Sequence, residues 1–141
     1  MPTLTKNLFW GQGPKDHSLE VIEGHWPTDV GGSVFVVGPD KRRPGGHWFG
    51  EHGLLQKIRL APDSAGRIRV QHRYVDTPIA RLRRRLPFLF KKVQFIELSP
   101  FGVTNMANTG EQPIAGRLFI GYDAGRPVEV DPETLEYLTP V

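Results

Sequence analysis

The chain has 141 residues, enough for one domain with a real core and too few for two independent ones. It contains no cysteine, which excludes a disulfide framework and any thiolate metal site. Its net charge of +3 is uneven: six basic residues and no acid lie from Arg81 to Lys92, and the remainder carries 12 basic and 15 acidic residues. That pattern points to one local anionic partner surface and away from a general nucleic-acid binder.

The opening MPTLTKNLFWGQGPKDH lacks the apolar core of a signal peptide, and no run reaches the roughly 18 apolar residues of a spanning helix. A cytoplasmic protein, soluble or surface-associated, is expected. Residues 1–20 read as an N-terminal arm and 21–141 as one β-rich unit. The 16 glycines and 13 prolines cut the chain into short apolar pieces, the pattern of an all-β protein with many turns. SVFVV, Ser33 to Val37, reads as a buried strand. GGHWFGEHGLL, Gly45 to Leu55, then brings two histidines and a glutamate close together. His47 and His52 are five apart, whereas helical zinc pairs sit at i and i+4, and odd spacing puts them on opposite faces of a strand. Gly50 to Gly53 reads instead as a tight turn, entered by the aromatic anchors Trp48 and Phe49. A metal site there would need His25 or His72 from elsewhere.

Leu54, Ile58 and Leu60 alternate with Leu55, Lys57 and Arg59, which predicts a half-buried strand. APDSAG turns the chain, and Ile68, Val70, His72 and Tyr74 then share one face of the return strand. His72 on that apolar face reads as a satisfied core residue. PIARLRRRLPFLFKKVQF, Pro78 to Phe95, breaks the β pattern. Helix formers fill Ala80 to Leu86, and Pro87 ends or kinks the helix. Leu82, Leu86, Leu89 and Phe90 recur at helical spacing with basic residues between them. Two readings stay open here: a surface helix packing one apolar stripe on the sheet, or an interfacial membrane helix. RNA binding is a weaker third, because a lone arginine run lacks a recognised fold around it. Arg117 to Tyr122 and Val128 to Val130 form a second hairpin, and Asp131 and Pro132 open another turn. No closing strand is expected before Val141. The serines lack a nucleophile-elbow context, and no glycine loop for phosphate precedes a helix.

The order of four motifs is more specific than any one of them. GHWPTDVGGSVFVVGP, HWFGEHGLL, RYVDT and ANTGEQPIAGRLFIGYDAGRPVEVDPETLEYL follow one another with plausible gaps. This series resembles the N-terminal portion of the carotenoid cleavage oxygenase family, also called the retinal pigment epithelial membrane protein family, over about Val21 to Val141. The chain departs from the family pattern at Val37, where Asn precedes Gly-Pro. It departs again at Gly50, Glu51 and His52, in place of Asp-Gly-Asp, and at Leu54, in place of Met.

The resemblance implies the N-terminal blades of a seven-bladed β-propeller, with the amphipathic insert at about 78–95. It implies a non-haem dioxygenase that uses ferrous iron and dioxygen to split a conjugated double bond of a carotenoid, apocarotenoid or stilbene-like substrate. Four histidines hold the iron in the family, and none of the five here occupies such a position. This segment is therefore expected to bind no iron and turn over nothing by itself, and to need a C-terminal portion as partner. One functional position falls on Asp123, where the family has a glutamate that orients an iron-bound histidine. A plain turn aspartate is the other reading. Membrane contact falls on Arg83, Arg84, Arg85, Lys91 and Lys92 at the headgroups, with Leu86, Phe88, Leu89 and Phe90 dipping below them. The alternative function is a non-catalytic β-rich module that binds a lipid surface or a protein through the same insert.

Overall fold

The computed structural model describes residues 15–40, 50–86, 98–99, 102–103, 105–123 and 125–140. Two four-stranded antiparallel sheets dominate these residues. The first contains β1 (His17–Leu19), β2 (Ser33–Pro39), β3 (Gly53–Arg59) and β4 (Ile68–Tyr74), in the spatial order β1-β4-β3-β2. A helix, α1 (Pro78–Arg85), and a two-residue strand pair, β5 (Leu98–Ser99) with β6 (Gly102–Val103), follow. The second sheet contains β7 (Gly110–Ile114), β8 (Arg117–Gly121), β9 (Val128–Val130) and β10 (Tyr137–Pro140), ordered β10-β9-β8-β7.

Local chemistry explains most of the connections. Between β3 and β4 the Asp63 carboxylate accepts the amides of Ala65 and Arg67, each at 2.9 Å, and Gly66 takes a left-handed φ of 73°. After β9 the Asp131 carboxylate accepts the amides of Glu133 at 2.8 Å and Thr134 at 2.7 Å. Leu135, at φ 63° and 1% exposed, completes that reversal by filling the core. Both predicted hairpins form, with Ile58 opposite Val70 in one and Ile120 opposite Val128 in the other.

The structure corrects four expectations. SVFVV is not buried along its length. It is an edge strand whose Phe35 and Val37 pack on the core, while Val34 and Val36 are about two-fifths exposed on the other face. β3 is not half-buried: Gly53 through Lys57 are all buried, and the supposedly outer Leu55 and Lys57 have no exposed surface at all. The second sheet lies against that side. A closing strand does exist, because the Asp131 turn returns β10 along β9, with Tyr137 opposite Val130. β7 was not expected, since Pro113 interrupts its pattern. It runs at the sheet edge, where a missing N–H is tolerated. Its hairpin to β8 turns on Ala115 and Gly116, both at positive φ, where Asn-Gly is the usual signal.

The core lies between the sheets. Leu55 from the first and Val75, just past β4, cluster with Leu118, Ile120, Val128 and Val130 from the second. Each such side chain contributes about 1.5–3 kcal/mol relative to exposure. Lys57 crosses the same interface: its ammonium, on a side chain only 1% exposed, donates to Glu133 Oε2 at 2.8 Å. Arg59 reaches the same oxygen at 2.8 Å, and these two cations hold the Glu133 carboxyl below its usual range, Lys57 foremost.

α1 begins at Pro78, two residues before the expected Ala80. Thr77 caps it, accepting the Ala80 amide at 3.3 Å, and Pro78 occupies the first turn, where no intrahelical N–H is needed. It ends at Leu86, ahead of Pro87. Arg83, Arg84 and Arg85 in the last turn suit the negative end of the helix dipole. Its inward face differs from the expected leucine stripe: Leu82 is 43% exposed, whereas Ala80 and Arg83 are buried.

Candidate functional site

The segments that carry the family resemblance come together in space. β2 and β3 pair up to Pro39 opposite Gly53, so residues 40–52 form one long connection in place of a tight hairpin turn. His47, Trp48 and Phe49 lie outside the described residues. The described end of that connection, Gly50 to Gly53, packs directly on Met106 to Asn108, just ahead of β7. The Gly53 amide donates to the Met106 carbonyl at 3.0 Å, and the Gly53 carbonyl accepts the Val75 amide at 2.9 Å. A Cβ at Gly53 would sit 1.6 Å from the Ala107 carbonyl oxygen, so only glycine permits this approach. Asn108, 3% exposed, donates its Nδ2 to the Glu51 carbonyl at 2.7 Å. At the start of the connection the Asp40 amide donates to the His52 carbonyl at 2.8 Å, and the Tyr74 hydroxyl donates to the buried Asp40 carboxylate.

Thr109 to Gln112 continue from this contact into one wall of an open cleft of about 360 Å³. Phe119, Tyr122 and Asp123 line it as well. Asp123 is exposed in the turn after β8. Glu111 lines the cleft and also accepts the Val37 amide at 3.2 Å, joining β7 to the edge of the first sheet.

The basic insert divides in two. Arg81 and Arg84 both pair with the Asp76 carboxylate, and the Arg81 guanidinium lies 5.4 Å from the centre of the Tyr137 ring. Burial raises the Tyr137 hydroxyl pKa above its ordinary value, with Arg81 opposing. Arg84 and Arg85 face outward and Leu86 is half-buried. Arg83 does not face outward with them. It is 7% exposed, and its Nη1 donates to the Gly50 carbonyl at 2.5 Å. An arginine turned toward a backbone carbonyl has no signature in the sequence, which is why it was grouped with the headgroup-facing cations. Phe88, Leu89, Phe90, Lys91 and Lys92 lie outside the described residues.

Among the described residues, no three histidine, cysteine, aspartate or glutamate side chains are placed to hold a metal ion. His72 is buried and packs edge to face on His17, with ring centres 4.4 Å apart. Burial depresses its pKa, and His17 adds to that. His17 thus starts a strand within the stretch that reads as an N-terminal arm. Beside the pair, Asp16 and Arg73 form a bidentate ion pair at 2.5 and 3.1 Å, and the Arg73 hydrogen bond holds Asp16 below its ordinary range.

The sequence profile of the family described as retinal pigment epithelial membrane protein matches residues 11–141. The carotenoid cleavage dioxygenase 7, chloroplastic, of Oryza sativa subsp. japonica is 31% identical over 140 residues, covering 86% of this chain and 22% of its own length. Among solved structures, the lignostilbene dioxygenase of Pseudomonas brassicacearum is similar at a TM-score of 0.73 and 24% identity, covering 93% of this chain and 28% of that one. A variant of the Synechocystis apocarotenoid oxygenase gives a TM-score of 0.70 at 23% identity, covering 92% and 29%. The chain thus spans less than a third of each of these proteins, and the structural likenesses are likenesses of fold.

Proposed function

The chain belongs to the retinal pigment epithelial membrane protein family, that of the carotenoid cleavage oxygenases, and on that premise we propose that it forms the N-terminal part of a non-haem iron dioxygenase. The intact enzyme splits a conjugated double bond of a carotenoid, apocarotenoid or stilbene-like substrate with dioxygen. The observation that carries this reading is the packing of Gly50–Gly53 on Met106–Asn108. Two sequence segments that resemble the family, 53 residues apart at Gly53 and Met106, meet where Gly53 is sterically required. The two four-stranded antiparallel sheets are read as successive blades of a seven-bladed propeller.

Ferrous iron in the intact protein would supply dioxygen activation at open coordination positions. No described residue is assigned as its ligand. Asp123 borders the cleft and is assigned the role of a carboxylate that would accept an N–H from an iron-bound histidine and fix its orientation. No described helix is long and apolar enough to cross a membrane. Membrane contact is assigned instead to the insert, through Arg84, Arg85 and the residues that follow Leu86, so that apolar substrate enters from the lipid surface.

The test is turnover by the intact, iron-loaded protein, with chromatography of the products. Carbonyl fragments from at least one carotenoid, apocarotenoid or hydroxystilbene are expected. Asp123→Asn should weaken iron retention about tenfold or more. No carbonyl product from any of the three substrate classes would sink the oxygenase reading, and unchanged iron retention would remove Asp123 from it.

A further inference from the structure

α1 carries four arginines, and one of them behaves unlike the rest. Arg81, Arg84 and Arg85 are exposed, whereas Arg83 is 7% exposed. Burying a guanidinium is costly unless its N–H groups find acceptors, and an arginine on a short surface helix can ordinarily reach water. Arg83 turns inward and donates to the Gly50 carbonyl at 2.5 Å. The next carbonyl along, that of Glu51, accepts from the buried Asn108 side chain at 2.7 Å. Two residues on, the Gly53 amide donates to Met106 at 3.0 Å. The Gly50–Gly53 turn is therefore held on one side by the helix and on the other by Met106–Asn108. Asn108 leads directly into Thr109 and Gly110, one edge of the cleft that Asp123 also borders.

We propose that Arg83 is a positioning residue: it fixes the Gly50–Gly53 turn, the turn fixes Asn108, and Asn108 sets the Thr109–Gly110 edge of the cleft against Asp123. Its relevance to turnover rests on the reading of this cleft as part of an oxygenase. Geometry gives the direction of the effect. Arg83 and Asn108 both act on backbone carbonyls of the Gly50–Gly53 segment, so losing Arg83 removes the cationic donor from the Gly50 oxygen and loosens that segment. The consequence is local, because the β8–β9 core is packed by other residues.

Amide hydrogen exchange on the full chain tests this without using turnover. In Arg83→Ala, exchange at the Gly53 and Thr109 amides is expected to rise about tenfold or more, while the Ile120 and Val128 amides keep their protection. Millimolar methylguanidinium should restore part of the lost protection by occupying the vacated place. Arg83→Lys, which keeps a charged donor, should fall between wild type and Arg83→Ala, and it decides the matter if the alanine variant does not fold. Arg67→Ala, in the exposed β3–β4 turn, serves as the control and should leave Gly53 and Thr109 unchanged. Wild-type protection at Gly53 and Thr109 in a folded Arg83 variant overturns the proposal. So does a loss in folded Arg83→Lys that is spread equally over β8 and β9, which would mark a merely structural role. Absence of turnover in the intact protein would end the oxygenase reading and leave the exchange result standing.

Discussion

The first four-stranded sheet contains three consecutive strands in antiparallel succession and the second contains four, yet their inner strands are also buried differently. In β8 burial alternates: Leu118 and Ile120 are fully buried, Phe119 is half-buried, and Arg117 is exposed beside Glu129 at 2.6 Å. In β3 five consecutive residues are buried, among them Gln56 and Lys57. One strand has a wet face, and the other has none from Gly53 to Lys57. A strand with a wet face writes its orientation into the sequence as alternation. A strand covered on both sides does not, and a buried lysine there looks like a solvent residue until its acceptor, in the β9–β10 turn, is known. Outward charge in the second sheet is thus chemistry with water, and inward charge in the first is chemistry with the neighbouring sheet.

The sharpest way to break the contact between the sheets is Gly53→Ala. A Cβ 1.6 Å from a backbone oxygen cannot be absorbed by a side-chain rotation, so the loss in unfolding free energy is expected to exceed about 4 kcal/mol, read by urea denaturation. Lys57 comes next. Lys57→Ala removes a fully buried stem and leaves a cavity, which should cost about 3 kcal/mol. Lys57→Met keeps the volume and gives up the ion pair, and should stay within about 1.5 kcal/mol of wild type. If methionine proved as harmful as alanine, the ammonium and not the packing would be what joins the sheets.

A smaller effect is expected from pH. His72 titrates below its ordinary 6.5, first because it is buried and then because of His17, with Arg73 adding and Asp16 opposing. Gln56 lies opposite it on β3 and carries no charge. A folded value below the unfolded one means that the unfolded chain takes the proton first. The stability from neutral His72 is therefore complete above 6.5 and is lost as the pH falls through that value toward the folded one. The urea midpoint should drop between about pH 7.5 and about pH 5.5, and drop less in His72→Gln. Equal slopes in the two proteins would show that the imidazole is not the cause. The smallest effect belongs to the second sheet: Arg117→Ala breaks an exposed ion pair, and the midpoint should not move measurably at moderate salt.

Sequence and structure agree where the governing interaction is local. The Asp63 and Asp131 turns, the stop before Pro87 and both hairpins follow from residues only a few positions apart. The site was partly readable for the same reason. The motif ending at Gly50–Gly53 marked a segment that does meet Met106–Asn108, but not as the expected tight turn, because Gly53 opens β3 opposite Pro39. The reasons for other features lie far along the chain. β7 hides behind Pro113 and an Ala-Gly turn, and it is tolerated only because it forms an edge. Arg83 looks like its three neighbours until Gly50, 33 residues earlier, is placed beside it.

Residue order alone was enough for the family, the mainly β character, the helix stop before Pro87 and the Asp63 and Asp131 turns, because these depend on motif order, backbone preference and short-range hydrogen bonds. Tertiary structure alone decided which faces are wet, why Gly53 must be glycine, and that Lys57 and Arg83 are inward cations. Each of those outcomes needs a partner from another element, 33 residues away for Arg83 and 76 for Lys57. Burial on a strand's second face is a property of the neighbour that covers it, and no local pattern carries that information.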